Sequence, residues 1–133
     1  DLVDLGKDVS LNGTAINGGD GIDTLKIHDD SFNTTNAGKI SGFEVLDMSD
    51  ADKEFTFHHA SDIANFIKNV GGEGATSLFV KGVEGVGKFT EGSSEIASAG
   101  TVDSNGNHVY SVNDGGQTFT LTIENDITIN TSM

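Results

Sequence analysis

The residues best placed to do chemistry lie in Asn17-Gly18-Gly19-Asp20-Gly21-Ile22-Asp23-Thr24-Leu25-Lys26. From Gly18 onward every fixed position of the pattern Gly-Gly-x-Gly-x-Asp-x-(apolar)-x is filled, and that pattern is a calcium-binding repeat. Calcium takes six to eight oxygens at about 2.3–2.6 Å, so a tight turn must supply most of them from its backbone. Glycines let carbonyls turn inward at φ values that other residues resist. Asp23 adds a carboxylate, while Leu25 and Ile27 begin a strand that anchors the turn. The expected ligands are the Asp20 and Asp23 side chains, backbone oxygens around Asn17, Gly19 and Gly21, and Asp47 from a neighbouring strand. Asp-Gly and Gly-Gly also form ordinary hairpin turns. A match at every fixed position favours the cation over a plain turn.

Weaker candidates lie elsewhere. Asp1 and Asp4 stand at the very start, either as ligands of an ion or as solvated acids. Asp103-x-Asn105-x-Asn107 has the odd-position oxygen spacing of an EF-hand loop, with Asp114 at the twelfth position. His108 stands where that loop requires glycine and no helices flank it, so a hairpin turn is the favoured reading. Asp47, Asp50 and Asp52 crowd into six residues, where Asp50 and Asp52 read as a solvated acidic turn. Gly82-Val83-Glu84-Gly85-Val86-Gly87-Lys88 imitates a phosphate-binding loop. Phe89 occupies the position that must be Ser or Thr, and no helix start follows, which excludes nucleotide binding. The four histidines show no zinc-protease spacing, and no set of residues converges as a catalytic site. A non-enzymatic protein is expected.

Composition narrows the partners. Seven basic residues, all lysine, stand against 21 acidic ones, for a net charge of −14. That density repels nucleic acid and anionic membranes. Without arginine there is no bidentate clamp for phosphate or carboxylate. Carboxylate self-repulsion weakens a compact ion-free state, and divalent cations relieve it most directly. With no cysteine, neither a disulfide frame nor a thiolate metal site is available.

The length, 133 residues, is that of a single domain, read as one module (1–133) excised from a longer chain. No signal peptide or transmembrane run is visible. Short strands are expected over 1–7, 9–15, 24–28, 40–48, 55–57, 77–81, 109–112, 118–123 and 127–129. Ile63, Phe66 and Ile67 make one apolar stripe on a helix over about 61–69, with Ser61 as N-cap and Gly71-Gly72 as its end. Residues 82–100 read as an irregular, surface-forming loop. The expected fold is mainly β: an antiparallel sandwich of about eight to ten strands with one short helix and calcium-binding loops. Since the glycine pattern occurs once, a roll of stacked repeats is not expected.

Several segments, in this order, resemble a known module: Gly18 to Leu25, Ile40-Ser41-Gly42-Phe43-Glu44-Val45-Leu46-Asp47-Met48-Ser49, Phe55-Thr56-Phe57 with the helix, Ser77 to Gly82, Val109 to Val112, and Thr118 to Ile123. The series is similar to calcium-dependent modules near the C-terminal, ligand-binding end of large bacterial RTX adhesins exported by type I secretion. The resemblance implies a secreted, cell-surface, calcium-bound β-rich monomer that serves in attachment to a surface, host cell or biofilm beside neighbouring modules of the same adhesin. Such modules either bind a host glycan or peptide terminus, here through loop 82–100, or act as spacers. Relatives often carry Gly-Asp-x-Gly-Asp after the strand matching Ser77–Lys81, where this chain has Gly82-Val83-Glu84-Gly85-Val86. They also often place a Trp in the following loop, and this chain has none.

Overall fold

Apolar residues two apart define the strands, and their register decides how the strands stack. A computed structural model describes residues 2–4, 16–28, 40–52, 54–72 and 74–131. In chain order the elements are β1 (Leu2–Asp4), β2 (Ile16–Asn17), β3 (Thr24–His28), β4 (Ile40–Ser41), β5 (Val45–Asp50), β6 (Glu54–Phe57), α1 (Ala60–Gly71), β7 (Ser77–Lys81), β8 (Lys88–Glu91), α2 (Ser94–Ala99), β9 (Gly100–Val102), β10 (His108–Asp114), β11 (Gln117–Ile123) and β12 (Thr128–Thr131). The protein is mainly β, with several sheets and a short helix, as its alternating segments lead one to expect.

Strand direction departs from expectation. A seven-stranded sheet runs β1-β3-β5-β7-β11-β10-β9, a second sheet β12-β8-β6, and β2 pairs with β4. Every neighbour from β1 through β11 in the large sheet is parallel, as are all pairs in the two smaller sheets. Among the described residues only β10 pairs antiparallel, with β11 and β9. Parallel neighbours need a crossover of about a dozen residues or more. The intervals from Leu25 to Leu46 to Val80, which are register partners, supply it. The crossover from β5 to β7 carries β6 and α1, so a βαβ-like connection is present.

Successive passes of the chain, β2–β3, β4–β6, β7–β8 and β11–β12, therefore stack as coils. What repeats is the inward-facing residue rather than the glycine motif. Leu25, Leu46, Val80 and Ile123 stand in register and are all fully buried. In the second sheet Phe55, Phe89 and Ile129 form the matching column.

Helix α1 closes the core. Ile63, Ala64, Phe66, Ile67 and Val70 are buried, and Phe66 meets Phe55 and Phe57 edge-on at 5.0 and 5.6 Å. Phe55 and Phe57 stack on Phe89 at 5.5 and 5.6 Å. Such pairs contribute about 0.5–1.5 kcal/mol each beyond the area they bury. The N-cap is His59, two residues before the expected Ser61. Asp62 Oδ2 accepts the His58 and His59 N–H groups at 2.8 and 3.0 Å, so a carboxylate in the first turn rather than Ser61 secures this end. Gly72, at φ 97°, ends it as expected.

Two further expectations are corrected. The single strand read over 40–48 is broken by Gly42 at φ 78°, which parts β4 from β5. Residues 82–100, read as irregular, contain β8 and α2. Phe89 and Thr90 are both buried, so β8 is covered on both sides and shows no alternation. The strand expected over 9–15 lies outside the described residues.

Candidate metal-binding turn

The turn between β2 and β3 is held by its neighbours rather than by itself. Gly18 N–H donates to the Ser41 carbonyl at 2.9 Å, and the Glu44 and Val45 N–H groups donate to the Asp23 carbonyl at 3.1 and 3.2 Å. Asp23 N–H donates to Glu44 Oε2 at 2.9 Å. A Cβ on Gly18 would lie 2.5 Å from the Gly42 carbonyl oxygen, so glycine is needed at this contact. Within the turn, Asn17 Oδ1 accepts the Gly19 N–H at 2.8 Å. That amide also fills the space where a Gly42 Cβ would stand.

From Gly18 to its strand residue Thr24 the chain takes more residues than from Gly42 to Val45, the register partner of Thr24. The surplus bulges outward: Gly19, Asp20, Gly21 and Ile22 are exposed, Ile22 at 78%. Gly19 and Gly21 adopt φ values of 86° and 95° with open space around them, as expected for carbonyl-presenting glycines. Asp23 is the reverse, a carboxylate only 2% exposed at the base of the bulge. A carboxylate at that depth needs compensation by hydrogen bonds or by a cation. Every available donor in this turn is oxygen, which fits a hard ion such as calcium. Asp20, Asp23 and the backbone oxygens from Asn17 to Gly21 would hold it. No group of three or more His, Asp or Glu residues among the described residues is arranged to hold a metal ion, so an ion here would need backbone oxygens for most of its shell.

Asp47 does not join them. It lies three residues along β5 from the level of Asp23, about 10 Å at the rise of a strand. Its register partners are Lys26 on one side and Lys81 on the other, and Lys26 is likewise opposite Asp4. Lys26, Asp47 and Lys81 thus alternate in charge across three strands, the arrangement that favours opposite charges on neighbouring strands. Asp47 Oδ1 also accepts the Ser49 N–H at 2.9 Å. Asp1 lies outside the described residues.

The neighbouring acids are not merely solvated. Asp50 pairs with Lys26 at 2.9 Å, and Asp52 Oδ1 accepts the Gly87 N–H at 3.1 Å. Glu124 Oε1 likewise accepts the Gly82 N–H at 3.2 Å. With Glu44, these carboxylates tie one coil to the next. The sequence shows their charge, while their coil-linking role depends on contacts remote in the chain.

The second candidate is dismantled. Asp103, Asn105 and Asn107 form the β9–β10 turn, while Asp114 stands at the far end of the seven-residue β10, about 20 Å away. Asp103 Oδ1 accepts the Asn105 and Asn107 N–H groups at 2.8 and 3.0 Å, and Oδ2 accepts the Asn107 side-chain amide at 3.4 Å. Desolvation pushes the Asp103 carboxyl upward, but these bonds and the Gly106 N–H outweigh it and hold it below its usual value of 3.8. This is the favoured hairpin turn, its oxygens already occupied. The segment 82–88 leads into β8 rather than a helix, consistent with rejection of a phosphate loop. Histidines 58 and 59 immediately precede α1, with His59 as its N-cap.

Among the described residues no helix is long and apolar enough to cross a membrane. No family model, no curated protein and no solved structure matches this chain.

Proposed function

We propose that this chain is a calcium-binding, extracellular module of a bacterial RTX-type adhesin, non-enzymatic, in which the ion stabilises the fold for attachment to a surface, host cell or biofilm. The observation that carries the reading is the buried Asp23 carboxylate at the base of an exposed glycine bulge whose sequence fills every fixed position of a calcium repeat. The order of segments shared with adhesin modules supports the setting. The alternative, ligand recognition through 82–100, would work through β8, α2 and their connections rather than through an irregular loop.

Melting curves in calcium, magnesium and EDTA test the reading. Calcium at a hundredfold excess over Kd contributes about 2.7 kcal/mol when only the native form binds. For a domain of this size that raises Tm by about 10 °C. Magnesium, which demands a near-octahedral shell, restores little of it. Superimposable curves in calcium and in EDTA would defeat the proposal.

A further inference from the structure

Two coils and the end of α1 meet at one corner through backbone hydrogen bonds. Gly18 N–H donates to the Ser41 carbonyl at 2.9 Å, and the next residue, Gly42, donates to the Gly71 carbonyl at 3.0 Å. Gly71 is the last residue of α1. Close approach requires glycine along this line. A Cβ on Gly18 would meet the Gly42 carbonyl oxygen at 2.5 Å, one on Gly42 would overlap Asn17 Oδ1, and one on Gly72 would meet Ser41 Cβ at 3.0 Å. Gly42 and Gly72 also hold φ values of 78° and 97°, which other residues rarely adopt. Glu44 adds a side-chain tie by accepting the Asp23 N–H at 2.9 Å.

We propose that this corner is a latch: the bond series from Gly18 through Ser41-Gly42 to Gly71 couples the order of the turn 17–23 to the C-terminal end of α1. The inference rests on the calcium reading of that turn for the identity of its trigger. Anything that orders the turn places Gly18 and Asp23 against the second coil, and Gly42 carries that placement to the helix end. An ion bound at the turn thereby closes β2 and β3 onto the core, and a loosened helix end weakens the ion in return.

Amide hydrogen exchange followed residue by residue, in calcium and in EDTA, tests the latch. In the unaltered protein calcium slows exchange at least tenfold at Gly18 and Asp23, and also at Gly42 and Gly72. In Glu44→Ala, which removes one exposed side-chain tie and leaves the backbone bonds in place, the calcium protection at Gly42 and Gly72 falls at least threefold; Gly42→Ala abolishes it. Calcium protection confined to 17–23, with Gly42 and Gly72 unmoved, overturns the latch and leaves the calcium reading intact. Calcium without effect at any amide defeats the calcium reading instead. The latch is then decided without the ion: Glu44→Ala must speed exchange at both Asp23 and Gly72 while β10 stays as before, and an unmoved Gly72 overturns it.

Discussion

The turns at 17–23 and 103–107 both set aspartate among asparagine and glycine, and they solve the same problem in opposite ways. At 103–107 the carboxylate is exposed and spends its oxygens on the N–H groups of its own turn. At 17–23 the Asp23 carboxylate is buried, and the backbone is fastened instead to residues 41–45 of the next coil. A turn that satisfies itself has little left to offer a cation. A turn organised from outside can leave its carbonyls facing outward, and it costs the fold more when a neighbour fails.

That contrast can be broken most forcefully at its glycines. Gly42→Ala combines a positive φ with overlap at Asn17, so we expect a loss of about 3 kcal/mol or more in urea denaturation. Gly106→Ala has a similar φ of 85° but its nearest neighbour is at 3.4 Å, and about 1 kcal/mol should go. Equal losses at the two sites would erase the distinction. Next in size is the calcium response of about 2.7 kcal/mol, which Asp23→Asn should abolish and Asp103→Asn should leave whole. The reverse pattern in EDTA-difference melting would move the metal site to the hairpin.

A position outside both turns sets a baseline. Burial pushes the Tyr110 hydroxyl well above its usual value of 10, and its 2.7 Å hydrogen bond to Glu91, with the charge of that carboxylate, adds to the shift. The folded state thus holds this proton more tightly than the unfolded one. Its contribution is complete below pH 10 and should decline as pH rises above it. Tyr110→Phe should cost about 1–2 kcal/mol at pH 7 and flatten the alkaline decline seen by circular dichroism.

Smaller effects separate ladder from ligand. Asp47→Asn should cost at most about 1 kcal/mol, since it removes one rung between two lysines, and should leave the calcium response unchanged. Loss of that response would restore Asp47 to the metal shell. Least of all, the lowered Asp103 carboxyl contributes stability that is present above pH 3.8 and fades as pH falls through its folded value. Comparison of acid titrations of the unaltered chain and Asp103→Asn, read at the Asn105 and Asn107 amides, checks the sign.

Much of the local structure was legible in the chain. The spacing of Ile63, Phe66 and Ile67 marked α1, while Ser77–Lys81 and Thr24–His28 matched their strands to the residue. Ser61 misled as a cap because Asp62 reaches back two residues further. Strand β8 was hidden because burial of both Phe89 and Thr90 removes alternation. Asp47 looked like a ligand for want of knowledge of its neighbours, Lys26 and Lys81, which lie far off in sequence. One signal was available for the stacked coils: Leu25, Leu46, Val80 and Ile123 each sit in an apolar strand of similar length, and their repetition is weak only because insertions of different size part them.

The chain by itself determined what depends on a few consecutive residues: where glycine allows a turn, where a 3.6-residue stripe makes a helix, and where alternation makes a strand. Strand direction, the coil stacking and the partners of each carboxylate were decided only by tertiary structure. Those depend on pairing between residues one coil or more apart, and side chains that alternate along a strand do so whether the neighbouring strand runs parallel or antiparallel.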